Sequence, residues 1–189
     1  MKMEELRFRI TGVTPLLLNN GQMADPLNPM AKKLKAVTSK RNKTDADYEA
    51  MARLEWYGSL YVKDDRIVIP GANLEAMLLE AGRKFRKGKL VQAGVFCQEE
   101  SPIIYDGPAD IDELWTADQN RFTVGVKIRG SRVMRTRPMF REWSLEFTIN
   151  FDSQLLDEGE IEQIVVRAGE NIGLGDWRPK FGRFTAQRI

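Results

Sequence analysis

The chain has 189 residues, 42% of them apolar and 30% charged, which is typical of one globular domain, with or without a large insertion. It contains no histidine and a single cysteine, which excludes histidine-based catalysis, imidazole metal sites and an internal disulfide. No apolar run reaches the roughly 18 residues that span a membrane, and the first residues lack the apolar core of a signal peptide. We therefore expect a cytoplasmic protein without a membrane partner, and we predict no cofactor and no metal.

The beginning of the chain predicts a strand and then a flexible insertion. Residues 6–10 alternate apolar and cationic side chains, as a half-buried strand does, and a bend over 11–15 precedes the buried segment 16–18. The segment 19–44 combines Asn, Gly, Pro and Lys with few large apolar residues. A stretch of this length without secondary structure is usually functional or disordered. We expect a mobile basic arm that orders against a partner, with a plain flexible loop as the alternative.

Two helices with a hairpin between them are predicted next. Thr44, with Asp47 three residues later, is typical of a helix start, and this helix extends to about residue 57. The side chains that we expect it to bury are Tyr48, Met51, Leu54 and Trp56. A hairpin over 60–69 then leads to an amphipathic helix over 72–85, which Asn73 can cap. The apolar face of this second helix consists of Leu74, Met77, Leu78, Ala81 and Phe85.

The second half of the chain predicts mostly strands. A strand over 101–105 precedes an acidic loop over 110–120, in which Leu114 and Trp115 pack inward. Alternating segments then predict an arginine-rich hairpin over 122–149, with Pro138 at an edge or a bulge.

The chain ends with a predicted helix over 155–168, a glycine-rich loop and a short strand over 183–189. The side chains expected to be buried on this helix are Leu155, Leu156, Ile161, Ile164 and Val165. The order of all the elements favours an α+β fold with helices on one side of an antiparallel sheet. Its ending, a hairpin followed by a helix and a strand, is the second half of a ferredoxin-like βαββαβ unit.

Basic residues are concentrated in three runs that contain no acid. The cations in these runs that we predict to contact phosphates are Lys32, Lys33 and Lys35, then Arg83 and Lys84, and then Lys127, Arg129, Arg132, Arg135 and Arg137. Acids gather elsewhere, over 110–113 and 157–162. This segregation produces local positive potential although the formal net charge is only +2, so nucleic acid is the leading predicted partner.

The glycine-rich loop over 173–184 is the second candidate site. Glycines allow positive φ and close backbone approach, so main-chain N–H groups and cations in such a loop can converge on one anion. The residues that we predict to take part are Gly173, Gly175, Trp177, Arg178, Lys180, Gly182 and Arg183. The alternative is a tight turn in which the glycines only relieve strain.

Three segments resemble the RAMP superfamily, the repeat-associated proteins of CRISPR systems. Residues 12–17 (GVTPLL) resemble the end of its first strand, and 69–78 (IPGANLEAML) its "IPGSSLKGxLR" helix entry. Residues 173–184 resemble its C-terminal "GxGxxRxxGxG" loop. The chain departs from these patterns at Ala72–Asn73, at Glu75 and at Phe184, as a divergent or phage-borne member would.

The resemblance implies a modified RRM-like domain that binds single-stranded RNA and polymerises along a guide in antiviral defence, beside other effector-complex subunits. The insertion 19–44 and the hairpin then correspond to thumb-like elements that pinch the strand. Two alternatives stay open. One is a histidine-free endoribonuclease. Its candidate catalytic residues are Tyr57, Tyr61, Lys84 and Arg178, or Asp25 or Asp45 as the aspartate of a cleaving loop. The other is a phage or assembly protein without affinity for nucleic acid, DNA or RNA.

Overall fold

The computed structural model describes residues 2–128 and 130–189, apart from the side chain of Ile128. The chain divides into two compact units. Unit 1 contains the residues up to Leu16 together with Val62–Asp106 and Arg141–Ile189, and unit 2 contains Leu17–Tyr61 and Gly107–Phe140. Helices and antiparallel strands occur in both, so the predicted α+β class is confirmed. Within the described residues, no helix is long and apolar enough to cross a membrane.

Six α-helices are assigned in the described part of the chain. They are α1 (Pro29–Thr38), α2 (Asp45–Ser59), α3 (Gly71–Lys84), α4 (Gly88–Gly94), α5 (Ile111–Thr116) and α6 (Glu158–Arg167). Two short 3-10 turns, Gly21–Ala24 and Asp118–Asn120, and a π-helical turn, Ala168–Ile172, accompany them.

The strands assigned in the same residues vary from two to ten residues in length. They are β1 (Met3–Gly12), β2 (Leu16–Leu17), β3 (Val62–Lys63), β4 (Arg66–Ile69), β5 (Val95–Phe96), β6 (Ser101–Pro102), β7 (Ile104–Tyr105), β8 (Arg121–Ile128), β9 (Ser131–Phe140), β10 (Trp143–Asp152) and β11 (Phe184–Arg188).

Unit 1 is built on an antiparallel sheet with the strand order β11–β1–β10–β5, and β7 also pairs with β10. Phe8 lies opposite Phe147 and Ile10 opposite Leu145, so the alternating side chains of the two central strands share one buried face. The predicted half-buried first strand is thus confirmed. On the other face, the guanidinium of Arg9 donates to Glu146 Oε1 over 2.5 Å. A smaller sheet, β3–β4–β6, contains the predicted hairpin.

The two long helices of unit 1 bury the predicted residues with two exceptions. On α3, Leu74, Met77, Leu78 and Ala81 are buried, but Phe85 lies beyond the helix end and is exposed. Leu155 is also exposed and, like the buried Leu156, it precedes α6, whose N-cap is Asp157. The cap of α3 was predicted incorrectly.

The start of α3 is set by a close backbone approach. Pro70 occupies the N-cap position, and no side chain caps the helix, so Asn73 is not its cap. A Cβ atom on Gly71 would lie 1.7 Å from the carbonyl oxygen of Cys97, which excludes any larger residue there without a shift of the backbone.

The sheet with the strand order β2–β9–β8 contains the predicted hairpin, which has to be corrected. The hairpin consists of β8 and β9 alone, since β10 pairs with β1 in unit 1. Pro138 lies on β9, the middle strand, rather than on an edge, and its carbonyl accepts from the amide of Leu18 over 3.2 Å. Arg129 lies outside the described residues.

The segment 19–44 is largely helical, and the expectation of an irregular arm was wrong. Asn28 caps α1 by accepting from the amides of Met30 and Ala31, and Pro29 occupies the first helical turn. The few large apolar residues of α1 suggested a loop, although this Asn-Pro start is a helix signal. The prediction of an acidic loop over 110–120 was also wrong, because Asp110 is a helix start signal and caps α5. Leu114 and Trp115 are buried, as predicted.

The helix predicted after Thr44 is confirmed, but its buried side was misplaced. The side chain of Thr44 accepts from the amide of Asp47 and Asp47 accepts from that of Thr44, a complete capping box. Trp56 is fully buried as expected, whereas Tyr48 is 58% exposed. The fully buried residues of α2 all lie in its last turns, so its first half contributes side chains to the surface.

Candidate nucleic-acid interface

Apart from Arg129, which lies outside the described residues, the predicted cations of the first and third basic runs lie in unit 2, on α1 and on the β8–β9 hairpin. Lys32, Lys33 and Lys35 are exposed on α1. Lys127 lies directly opposite Arg132 near the end of the hairpin. The second run is in unit 1, where Arg83 and Lys84 form the last turn of α3.

A groove of about 620 Å³ in unit 2 collects residues from segments far apart in the sequence. We call it the unit 2 groove. Its walls are the 3-10 turn 21–24, α1, α2 and β9. Three cations line it, Lys35, Lys43 and Arg135, together with Tyr48. The structure therefore brings together Lys35 and Arg135, which were predicted separately as phosphate contacts from two different runs.

Much of the apolar lining of this groove is only half-buried. Leu34, Met51 and Val133 line the groove, and each retains part of its surface exposed. No residue of α1 is fully buried. A helix of a globular protein normally buries its apolar stripe, so the groove side of α1 presents apolar surface that the described chain does not cover.

The side of the groove formed by β9 is fixed by a buried carboxylate. Glu55 of α2 is 5% exposed; its Oε1 accepts from Arg135 Nη1, and its Oε2 accepts from the amide of Thr136 over 3.0 Å. A carboxylate at this depth requires such partners, because removing a charge from water costs several kcal/mol unless the charge is paired. Arg135 is therefore partly engaged within the protein, and Glu55 determines where its guanidinium lies.

Arg135 and Arg137 lie on the same face of the hairpin, as alternate residues of a strand do. Arg135 is opposite Val124 and Arg137 opposite Phe122, two residues apart in each strand. Arg137 Nη1 donates to the carbonyl of Thr136 over 3.3 Å. These two arginines thus border a row of half-buried apolar residues of β8.

The end of the hairpin carries two cations in directly opposed positions. Lys127 pairs in register with Arg132, and like charges directly opposite each other destabilise a hairpin. The aliphatic part of Arg132 lies over Gly125, where a Cβ atom would be 3.1 Å from Arg132 Cδ. A bound anion would relieve this repulsion.

The backbone of the glycine-rich loop in unit 1 is largely engaged within the protein. The amides of Leu174, Gly182 and Arg183 donate to Gly182 O (2.9 Å), Pro15 O (2.8 Å) and Thr14 Oγ1 (2.9 Å). A Cβ atom on Gly182 would lie 1.8 Å from Leu174 O, and one on Gly173 would lie 2.8 Å from Phe181 O. These two glycines, like Gly175, have positive φ. For Gly173 and Gly182, the interpretation as a tight turn explains the sequence better than convergence of N–H groups on an anion.

The side chains of the same loop form a cationic surface. Trp177, Arg178, Lys180 and Arg183 are exposed, and Trp177 retains 38% of its surface. Arg178 forms a 3.4 Å ion pair with Glu80 of α3, and Arg183 Nε donates to Pro179 O over 3.0 Å. One helical turn beyond Glu80, Lys84 lines a groove of about 450 Å³ with Phe85 and Arg167.

The residues considered for catalysis have structural partners. The phenol of Tyr57 donates to Asp112, and partial burial together with Asp112 raises its pKa, so Tyr57 is held protonated and is unsuited as a base. The hydroxyl of Tyr61 donates to Asn19 O over 3.3 Å. Asp25 accepts from the amide of Leu27 over 2.8 Å, and Asp45 is in the first turn of α2. Within the described residues, no cluster of acids and cysteine could hold a metal ion.

Sequence reasoning missed Tyr48, Lys43 and Met51 as members of the groove. Tyr48 and Met51 were assigned to the core of α2, and Lys43 was not among the cations predicted to contact phosphates. No local signal identifies Tyr48, since Ile161 has the same position after the capping box of α6 and is buried. No protein-family model matches the chain, and no curated protein sequence is similar to it.

Proposed function

We propose that this protein binds single-stranded nucleic acid, with RNA as the polymer, and that copies of it assemble along the strand. The observation that carries this proposal is the unit 2 groove, in which Lys35, Lys43 and Arg135 lie around an exposed aromatic ring. Cations contact phosphates and aromatic rings stack on bases in proteins that bind single strands without sequence preference. Unit 2 carries further cations outside the groove, Lys32 and Lys33 on α1 and Lys127 and Arg132 at the end of the hairpin.

We also propose that unit 1 is a ferredoxin-like, modified RRM-like domain of the RAMP type. Support comes from the strand order β11–β1–β10–β5, in which the first and third strands of a βαββαβ unit are central. In the chain, α3 lies between β1 and β5 and α6 between β10 and β11, as the two crossover helices of that unit do. Unit 2 is then the insertion, and it corresponds to the thumb-like elements that the sequence resemblance implies.

The affinity is expected to come mainly from phosphate contacts. Each cation that neutralises a phosphate releases counterions, so the logarithm of the association constant falls with log salt at about −0.7 per contact for single strands. Lys32, Lys33 and Lys35 are on one exposed helix and would contribute up to three such contacts.

The test is fluorescence anisotropy of a labelled 30-nucleotide RNA across a salt series, with the same sequence as single-stranded DNA. Changing Lys32, Lys33 and Lys35 to Gln should weaken binding at low salt and reduce the salt slope by about 2. The control changes three cations of unit 1 that are ion-paired with acids, Lys2, Lys63 and Arg188, to Gln and removes the same net charge.

A larger loss of affinity for RNA in the control than in the α1 variant would contradict the placement of the interface. Absence of binding to either strand at low salt would contradict the function itself. Size-exclusion chromatography of the mixtures tests assembly, since complexes should gain protein copies as the strand is lengthened. Oligomers that form without affinity for nucleic acid would instead support the assembly-protein alternative.

A further inference from the structure

We propose that the unit 2 groove captures an unpaired nucleobase, which makes the protein selective for strands whose bases are accessible. This inference rests on the proposed function and adds the substrate class of its site. A surface that only follows a phosphate backbone needs cations, whereas this groove combines cations with half-buried apolar side chains.

The size of the groove suits a ligand of nucleotide dimensions. Sites for small molecules usually have volumes of about 300–1,000 Å³, are mostly apolar and carry a few polar groups. The unit 2 groove, at about 620 Å³, lies in this size range, and its lining is mixed, with Leu34, Met51 and Val133 among its apolar residues. Met is flexible and polarisable, so Met51 can adapt to an aromatic ring placed against it.

Tyr48 supplies the aromatic surface for stacking. It lines the groove in the first turn of α2 and is 58% exposed, so its ring is not part of the core. Stacking of a base on an aromatic side chain contributes about 1–3 kcal/mol and tolerates every base, because each base has a π-face. The interaction would therefore select for an unpaired base rather than for a sequence.

Charge decides between a nucleotide and an apolar peptide as the occupant. Among the described residues that line the groove there is no carboxylate, while there are three cations. Lys43 Nζ donates to Lys40 O over 2.7 Å, and Glu55 accepts from Arg135 Nη1. A base in the apolar part of the groove would have its phosphates near these cations.

Arg135 is suited to contact the edge of the base or its phosphate. A guanidinium has five N–H donors in a rigid plane, and Glu55 engages it through Nη1. Glu55 also accepts from the amide of Thr136 in β9. Because of these contacts, Glu55 acts as a positioning residue for the groove. It joins α2 to β9, the strand that forms one wall of the groove.

The test compares three 20-nucleotide RNA ligands with the full-length protein in the same anisotropy assay. One is an unpaired oligoadenylate, the second has the same phosphates with abasic sugars, and the third is a duplex. We expect the abasic strand and the duplex to bind about 5- to 150-fold more weakly than the oligoadenylate, the range that stacking energies imply.

Two substitutions at the exposed Tyr48 assign this difference to the groove. Tyr48→Ala should weaken binding of the oligoadenylate and leave that of the abasic strand unchanged, whereas Tyr48→Phe should keep the discrimination. Circular dichroism checks that both variants fold, as expected for an exposed position.

Equal, salt-dependent binding of the intact and abasic strands would overturn base capture and leave the proposed function standing. Equal losses for both strands in Tyr48→Ala would also overturn it. Base capture would also be overturned if the groove mediates protein dimers. In that case Tyr48→Ala would abolish the dimers, and the protein would not discriminate between the strands. If none of the three ligands binds, both the inference and the proposed function fail.

Discussion

Both units contain buried apolar residues, but they differ in how completely their elements are buried. In unit 1, Phe8 and Ile10 of β1 and Leu145 and Ile149 of β10 are almost completely buried, and the two strands pair over most of their length. In unit 2, α1 has no fully buried residue, and a carboxylate, Glu55, lies within the fold. Apolar burial is the main source of stability, whereas half-buried apolar surface beside cations is suited to binding. We infer that unit 1 provides the stable scaffold and that unit 2 provides the interface.

The largest effect should come from the core of unit 1. Phe8 is 1% exposed, and Phe8→Ala should lower the free energy of unfolding by about 3–5 kcal/mol, because it removes buried apolar surface and leaves a cavity. Urea denaturation followed by labelling of Cys97 measures this change in unit 1 specifically. Cys97 is 3% exposed and burial raises its pKa to about 12, so the thiol reacts only when its surroundings open.

The control for this experiment is Val62→Ala, at an exposed position of unit 1, which should change stability by less than about 0.5 kcal/mol. Rapid labelling of Cys97 in the native wild-type protein would contradict the buried position of the thiol. A loss below about 1 kcal/mol for Phe8→Ala would contradict the assignment of unit 1 as the stable scaffold.

The glycine-rich loop should be the next most sensitive site. Gly182→Ala should lower the free energy of unfolding by about 3 kcal/mol, because the residue has φ +74 and the new Cβ would lie 1.8 Å from Leu174 O. Gly130→Ala is the matched control, with φ +88 and no atom within 4 Å of the place that its Cβ would occupy, and should cost only about 1–2 kcal/mol. Equal unfolding free energies for the two variants would contradict the role of close backbone approach in the loop.

In unit 2, Glu55→Ala should lower the free energy of unfolding by about 2–3 kcal/mol. This is less than the effect of breaking a fully buried ion pair, because Arg135 is partly exposed. The substitution leaves the guanidinium of Arg135 and the amide of Thr136 without their acceptor. A double-mutant cycle with Arg135→Ala isolates the contribution of the pair. Additive losses in urea denaturation would show that Glu55 does not position Arg135.

The smallest effect concerns the cap of α2. A hydrogen bond from Lys40 and one from the amide of Thr44 lower the pKa of Asp47 from 3.8 to about 2. Because the folded-state pKa lies below the unfolded value, this stabilisation is complete above about pH 4 and is lost as the pH falls towards 2. The helical signal in circular dichroism should therefore differ between wild type and Asp47→Asn at pH 6 and converge near pH 2. A difference that persists at pH 2 would contradict this assignment.

The hydrophobic periodicity of the sequence predicted those strands and helices that bury one face. The alternation in β1, the stripe on α3 and the capping sequence before α2 were sufficient, since each is a local pattern with one structural solution. The same local logic failed for α1, which buries no residue fully and so lacks the stripe by which helices are recognised. It also failed for β10, because alternation identifies a strand but does not identify its partner, and β10 pairs with β1 about 140 residues away.

The candidate site was predicted as separate cations rather than as a groove. Lys35 and Arg135 were identified from charge alone, but their proximity depends on how α1, α2 and β9 pack, which no local pattern encodes. Tyr48 was assigned to the core because aromatic residues at helical spacing are usually buried. For Gly173 and Gly182, the composition of the loop suggested an anion site, whereas the observed hydrogen bonds explain these residues by backbone packing.

The most direct test of the central claim is photocrosslinking of the full-length protein to 4-thiouridine RNA, followed by mass spectrometry of the crosslinked peptides. We predict crosslinks concentrated in unit 2, at Tyr48 and in the peptides that contain Lys35, Lys43 and Arg135. Crosslinks confined to the sheet or the loops of unit 1, with unit 2 unmodified, would contradict the assignment of unit 2 as the interface.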